Sequence, residues 1–238
     1  MVDYETVFNG FAAALTPQQR ERVRRDPGVR RIWKNERRTV ETISTPAFLG
    51  LDGPAGVWAR EFGDPEHAGE GMIIADIDTG FWPENPSLAA LPEPRPDQAV
   101  VGGKWKGACV AGTGTTQQQV TCNNKVIGAR YYDNSGFGDW TGEFRSPRDY
   151  DGHGTHTATT AAGDHGVPAT INGKPVGNVS GTAPAARVAV YKALWRQADG
   201  EGAGGTVDLL AAIDDAVADG ADVINYSASP RPGSTSPR

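Results

Sequence analysis

The run MIIADID, residues 72–78, is almost continuously apolar and ends in Asp-Thr-Gly. A strand with one buried face alternates apolar and polar residues. A run of this kind suits a strand covered on both faces, as in a parallel sheet with helices above and below. RVAVYKAL (187–194) has the same character, and ADVINYS (221–227) is a third strand of the set. Between the last two lies TVDLLAAIDDAVADG (206–220), whose apolar residues Val207, Leu210, Ile213 and Val217 recur at helical spacing. Strands alternating with helices predict a parallel α/β sheet wound by right-handed crossovers. Working groups in such sheets gather at the carboxyl ends of the strands, where Asp78 and Ser227 fall.

Residues 1–42 read as a small unit of their own. VFNGFAAAL resembles a strand. Thr16-Pro17-Gln18-Gln19 reads as a helix start, with Thr as N-cap, Pro in the first position and Gln in the third. The helix is predicted to run through QQRERVRRD and stop at Asp26-Pro27-Gly28, after which VRRIWKNERRTV resumes a strand. Residues 43–70, rich in Pro and Gly, read as a connecting segment leading into the main body over 71–227; within it, 83–150 read as loop. Residues 228–238 are a turn-rich tail.

Composition bounds the function classes. With 38% hydrophobic residues a packed core is feasible, and no run of 18 apolar residues exists to cross a membrane. The opening MVDYETVFNG has no basic stretch followed by an apolar one, so no secretory leader is expected within the chain. That leaves a cytosolic protein or a chain whose original N-terminus is missing. Residues 1–40 carry a charge of +4 and residues 41–238 a charge of −10. The basic residues lie on a helix-like stretch without interleaved aromatics, so a solvated face is expected rather than a nucleic-acid surface. The two cysteines, Cys109 and Cys122, have no neighbouring ligands for zinc. One disulfide closing a surface loop is the expectation, with two free thiols as the alternative. Asn178-Val179-Ser180 is a formal glycosylation acceptor.

The stretch DGHGTHTATTAAG (151–163) reads as a helix of small residues from Gly152 to Gly163, with His153 and His156 near its start. Zinc-binding helices place histidines at i and i+4 around a glutamate base; Gly154 and Thr155 supply nothing equivalent, so no metal is expected there. A structural pair of histidines is the plain alternative, yet Gly152 and Gly154 bracket His153 and permit close backbone approach. Asp-Thr-Gly alone also suits a pair of carboxylates sharing a proton, but that chemistry needs a second such motif, and the chain has one. An Asp that merely caps the turn is a further possibility. A third route joins the motifs: a buried aspartate orients an imidazole, which takes a proton from a serine hydroxyl. Asp…His…Ser is one of the chain orders in which that triad occurs.

These motifs resemble those of the subtilisin-like serine proteases, the subtilases. IIADIDTGFWPENPS is similar to the family's Asp motif and DGHGTHTATTAAG to its His motif, while GTAPAARVAVYKAL and DLLAAIDDAVADGADVINYS resemble the segments that follow. WKGACVAGTGTTQQQVTCNNKVIGARYY resembles the cysteine-bearing stretch of the plant-type and related bacterial branch. VFNGFAAALTPQQRERVRRDPGVRRIWKNERRTVETISTPAFLGL resembles the C-terminal part of the inhibitory propeptide and its junction with the protease. The resemblance implies an incomplete parallel-sheet α/β subtilisin-like fold preceded by a fragment of an α+β propeptide domain. It implies a secreted serine endopeptidase made as a zymogen, a monomer acting on protein or peptide substrates, with its own propeptide segment as intramolecular inhibitor and with no nucleic-acid or membrane partner. Asp78 would be the orienting acid, His153 the general base, His156 a packed neighbour, and Ser227 part of the strand that binds substrate backbone. No cofactor is implied, although structural calcium is compatible with the family.

The chain also departs from the family pattern. The nucleophile's Gly-Thr-Ser-Met-Ala motif and the oxyanion-hole asparagine are absent; Gly233-Ser234-Thr235-Ser236 echoes the motif without the small-residue helix that should follow. Ala228-Ser229-Pro230 replaces the expected bulky residue and glycines, which marks 228–238 as an aberrant or disordered tail of a truncated chain, inactive alone. A non-catalytic regulatory fragment acting through its propeptide-like segment is the competing expectation. Asp76 stands where an apolar residue is usual, and on a strand it shares the face of Asp78.

Overall fold

A computed structural model describes residues 2–4, 10–32, 45–139 and 142–228. The chain divides into two units, Met1–Val40 and Glu41–Arg238. In the first, β1 (Val2–Tyr4) pairs antiparallel with β2 (Gly10–Ala12), and α1 spans Pro17–Arg24. The helix starts where the sequence places it. Thr16 Oγ1 accepts from the Gln19 amide at 3.3 Å, and Gln19 Oε1 accepts from the Thr16 amide at 2.8 Å, a reciprocal capping box. The second strand expected over 29–40 is not seen at residues 29–32, and its remainder lies outside the described residues, as does the tail beyond Ala228.

The second unit contains, in chain order, α2 (Thr45–Phe48), β3 (Ile73–Asp78), α3 (Gln98–Lys104), β4 (Val126–Tyr131), α4 (His153–Ala162), β5 (Val167–Ile171) and β6 (Lys174–Val179). There follow β7 (Arg187–Lys192), β8 (Trp195–Arg196), β9 (Gly202–Ala203), α5 (Thr206–Ala218) and β10 (Val223–Tyr226). Four of these strands form a parallel sheet in the order β10-β3-β7-β4. Every residue of β3 and β7 is buried, as their unbroken apolar runs require.

Side-chain alternation sorts the core into two layers. Ile73, Ala75 and Ile77 of β3 join Ala189 and Tyr191 of β7 against Ala212 and Ala216 of α5. On the opposite face Ile74, Val188 and Val190 pack with Ala158 and Ala162 of α4. Alanines on the helices allow close approach to the sheet. The helical spacing in α5 therefore identified the element but not its buried face: Val207, Leu210 and Val217 are 54%, 61% and 65% exposed, whereas Ala212 and Ala216 point inward.

Several elements go beyond the sequence reading, among them β4 and the hairpin β5–β6. Strand β4 lies inside the stretch read as loop. It carries a register shift between Val126 and Gly128, and a Cβ at Gly128 would meet the Trp105 ring at 2.3 Å. That glycine is there for packing rather than for a turn. The hairpin β5–β6 turns at Asn172-Gly173, both at positive φ (51° and 74°), the Asn-Gly signature of a tight hairpin that the reading passed over.

Candidate active site

Asp78 ends β3, and His153 begins α4, directly across from it. The Asp78 carboxylate is fully buried, with Oδ1 and Oδ2 at 2.8 and 2.9 Å from His153 Nδ1. Oδ1 also accepts from the Thr79 amide at 2.7 Å. Because an ionised carboxylate only accepts, this contact assigns the proton to Nδ1 and leaves Nε2 free to receive one. The imidazole is half-exposed, at 46%, so Nε2 chemistry is accessible from solvent.

The approach of α4 to β3 is latched by two residues that the sequence reading missed. Asp149 Oδ1 accepts from the Gly152 amide at 2.8 Å, the Asp151 amide at 3.0 Å and Thr79 Oγ1 at 2.9 Å. Its Oδ2 accepts from the Thr155 amide at 2.9 Å and Thr155 Oγ1 at 2.5 Å. Thr79 Oγ1 in turn accepts from the Gly154 amide at 2.8 Å. One carboxylate and one hydroxyl thus satisfy the Gly152, Gly154 and Thr155 amides and tie the start of α4 to the end of β3, while the His153 amide donates to Asp151 Oδ1 at 3.3 Å. The available signal was an aspartate placed three residues before Gly152, the residue that leads into the helix.

Burial raises the Asp78 carboxyl above its ordinary range, opposed by the hydrogen bonds from His153 and Thr79. The hydrogen bond to Asp78 raises the His153 imidazole, opposed by its own desolvation. A raised histidine binds its proton more tightly folded than unfolded. The stability it contributes is therefore complete below about pH 6.5 and is lost as pH rises through the folded value. Asp78→Asn should return the His153 titration toward the ordinary histidine range and abolish this part of the pH dependence. Imidazole ¹⁵N NMR across pH 5–9 checks it, and an unshifted His153 midpoint would contradict the assignment.

The other residues singled out in the sequence are placed as follows. His156 is exposed and lines a cavity of about 320 Å³ with Trp82, Asn85 and Tyr150, so it does not pack behind the helix as expected. Three residues along α4 from His153, it lies on the same exposed side of the helix. Ser227 lies just past β10, exposed, with Oγ donating to Asn225 Oδ1 at 3.3 Å. Cys109 and Cys122 are disulfide-bonded, closing a loop whose start bridges to Ala129 of β4. Asn178 is exposed on β6. Among the described residues, no serine hydroxyl is hydrogen-bonded to His153, no group of three or more His, Cys, Asp or Glu is gathered to hold a metal, and no helix is long and apolar enough to cross a membrane.

Comparison with known proteins agrees with this geometry. The Subtilase family model matches residues 69–238, and the Peptidase inhibitor I9 model matches residues 2–41. Subtilisin-like protease SBT1.6 of Arabidopsis thaliana is 39% identical over an alignment covering 98% of this chain and 29% of its own length. Subtilisin-like proteases SBT2.5 and SBT2.6 of the same plant are each 40% identical over 97% of this chain and 27% of theirs. The chain thus spans under a third of the curated relatives it matches. With an inhibitor-type segment ahead of a parallel sheet that brings Asp78 to His153, the chain belongs to the subtilase family.

Proposed function

We propose that this chain contributes the acid and base of a secreted serine endopeptidase made as a zymogen, and that alone it does not hydrolyse peptide bonds. The observation that carries the reading is the bond between buried Asp78 and His153 Nδ1, at 2.8 Å, which leaves Nε2 to act. In the acyl transfer expected of the family, Nε2 takes the proton of an attacking serine hydroxyl. Asp78 stabilises the imidazolium that forms, and Nε2 then protonates the leaving amine. Ser227, beyond the β10 edge, is the proposed contact to substrate backbone. The inhibitor-type match over residues 2–41 supports an intramolecular inhibitory segment. It also favours a second reading, in which the chain inhibits an intact relative in trans.

The test uses a serine-directed fluorophosphonate probe. The purified chain should show no stoichiometric labelling; labelling would overturn its inactivity alone. Grafted in place of the matching segment of a plant subtilisin-like relative, residues 69–228 should support labelling that His153→Ala abolishes. Labelling that survives this substitution would overturn the role given to His153. Inhibition of the intact relative by the unlabelled chain would favour the regulatory reading.

A further inference from the structure

Asp76 is a carboxylic acid in the middle of a strand whose six residues are all buried, and it is itself fully buried. An unpartnered carboxyl in such a place is expensive. Its surroundings have been built for it. In the sheet register Asp76 stands opposite Asn225 of β10, and Asn225 Nδ2 donates to Asp76 Oδ1 at 2.7 Å. On the α4 side Thr157 Oγ1 lies 3.3 Å from Asp76 Oδ2. One turn along α4 from His153, that hydroxyl has a single proton and three acceptors in reach: the carboxylate, His153 O at 3.2 Å and Gly154 O at 3.0 Å. Asn225 then passes the chain of bonds outward, its Oδ1 accepting from Ser227 Oγ.

We propose that Asp76 is a positioning residue for the Asp78–His153 pair: its buried carboxyl holds β10 and α4 to the strand that carries Asp78 and, when ionised, places a second negative charge beneath the imidazole. The geometry supplies both halves. The bonds to Asn225 and Thr157 cross from β3 to its two neighbours in the sheet and helix layers. The shared strand face puts Asp76 two residues from Asp78 on the side that α4 covers.

The ionisable groups facing Asp76 and the imidazole are Asp78 on β3, His153 on α4, and Asp149 and Asp151 ahead of α4, the last paired with Arg196 at 2.7 Å. Lys192, at the end of β7 on the same face, is engaged by Glu143 at 2.8 Å, and β10 presents the neutral Asn225. Burial pushes Asp76 up to about 7, with the charges of Asp78 and Asp149 adding to it and the bonds from Asn225 and Thr157 opposing it. Asp76 is also among the charges that raise His153. Both groups are thus raised, Asp76 by burial and His153 chiefly by its bond to Asp78, and the charge on Asp76 acts on the imidazole proton. Each proton lost from Asp76 makes the imidazole harder to deprotonate, so the His153 curve is broadened. When Asp76 is neutral, the Thr157 proton is free to return to the helix carbonyls. The charge state of the acid is thus read on α4 one turn from the base.

The proposal rests on the reading of Asp78 and His153 as acid and base, but its test reads protonation rather than turnover. Absence of His153-dependent labelling in the graft would strike that reading; a stationary His153 midpoint would strike Asp76 alone. In the chain of residues 1–238, ¹⁵N NMR should show a His153 titration broader than a single-site curve. Asp76→Asn should narrow it and lower its midpoint by about half a unit to one unit. Thr157→Val and Asn225→Ala keep the carboxyl and remove a donor, so each should raise the Asp76 midpoint seen by ¹³C NMR. A folded Asp76→Asn variant with an unchanged His153 curve would overturn the proposal. Should that variant not fold, an Asp76 midpoint stationary in both donor variants would overturn it equally.

Discussion

Gly154→Ala is expected to destabilise the chain by about 3 kcal/mol and to loosen His153 from Asp78. An alanine inside a helix is ordinarily better than glycine by about 1 kcal/mol, so the sign depends on what the new methyl meets. A Cβ at Gly154 would stand 2.3 Å from Gly80 O, 2.8 Å from Gly80 N and 3.0 Å from Thr79 N. All three are backbone atoms of the turn after β3, and none can swing aside as a side-chain tip would. Gly80 is itself held, because its φ is +110° and a Cβ there would meet Pro147 O at 2.3 Å. Steric cost wins over propensity, and the relief is a shift of α4 that stretches the Thr79–Gly154 and Asp78–His153 bonds together. Urea unfolding should show the loss, and NMR should show His153 titrating closer to an ordinary histidine. Gly102→Ala is the control: it lies in α3 with nothing within 4 Å of its would-be Cβ, so it should be neutral or stabilising. Equal, small effects at both sites would contradict the close-approach argument.

The same glycine marks how far the sequence carried. The bracket of glycines around His153 was legible because only a residue without Cβ permits a helix to start against a strand end, and the strand end was announced by MIIADID-Thr-Gly. Both motifs are local, and each is specified by backbone geometry. Asp149 was not legible in the same way: it sits in a segment without periodicity, and its five acceptor contacts reach Thr79, seventy residues away, as well as the helix start. Strand β4 was hidden because its inner positions include Gly128 and Ala129 in place of branched apolar residues, Trp105 filling the space that a side chain would take. In α5 the apolar count pointed outward, because closeness to the sheet selects alanine over leucine. Asp76 was noticed as a departure, and its partner Asn225 became visible only once β10 was set beside β3 in register.

Lys192→Met should cost about 3–5 kcal/mol, because it breaks a buried pair from one side. Lys192 closes the apolar run RVAVYK, and its ammonium is fully buried. Nζ donates to Glu143 Oε1 at 2.8 Å and to Arg148 O at 2.7 Å, and sits 4.5 Å from the centre of the Trp195 ring. Burial lowers its affinity for the proton, and the Glu143 carboxylate opposes that. Methionine fills similar volume, so the loss is electrostatic: among the described residues, Glu143 would stay buried with the Phe144 and Arg196 amides to answer its charge, both at 2.8 Å. Removing the carboxylate as well, in Lys192→Met with Glu143→Leu, should recover a large part of the loss, since an apolar pair carries no stranded charge. The consequence reaches the site. The clamp on Arg148 O fixes the residue immediately before Asp149, whose carboxylate caps α4. The single variant should therefore also lower the His153 titration midpoint, by loosening the helix start from Asp78. Urea unfolding and imidazole NMR on the same three proteins separate the two effects. A single-variant loss below about 1 kcal/mol would place this pair with surface ion pairs in energy, whatever its burial.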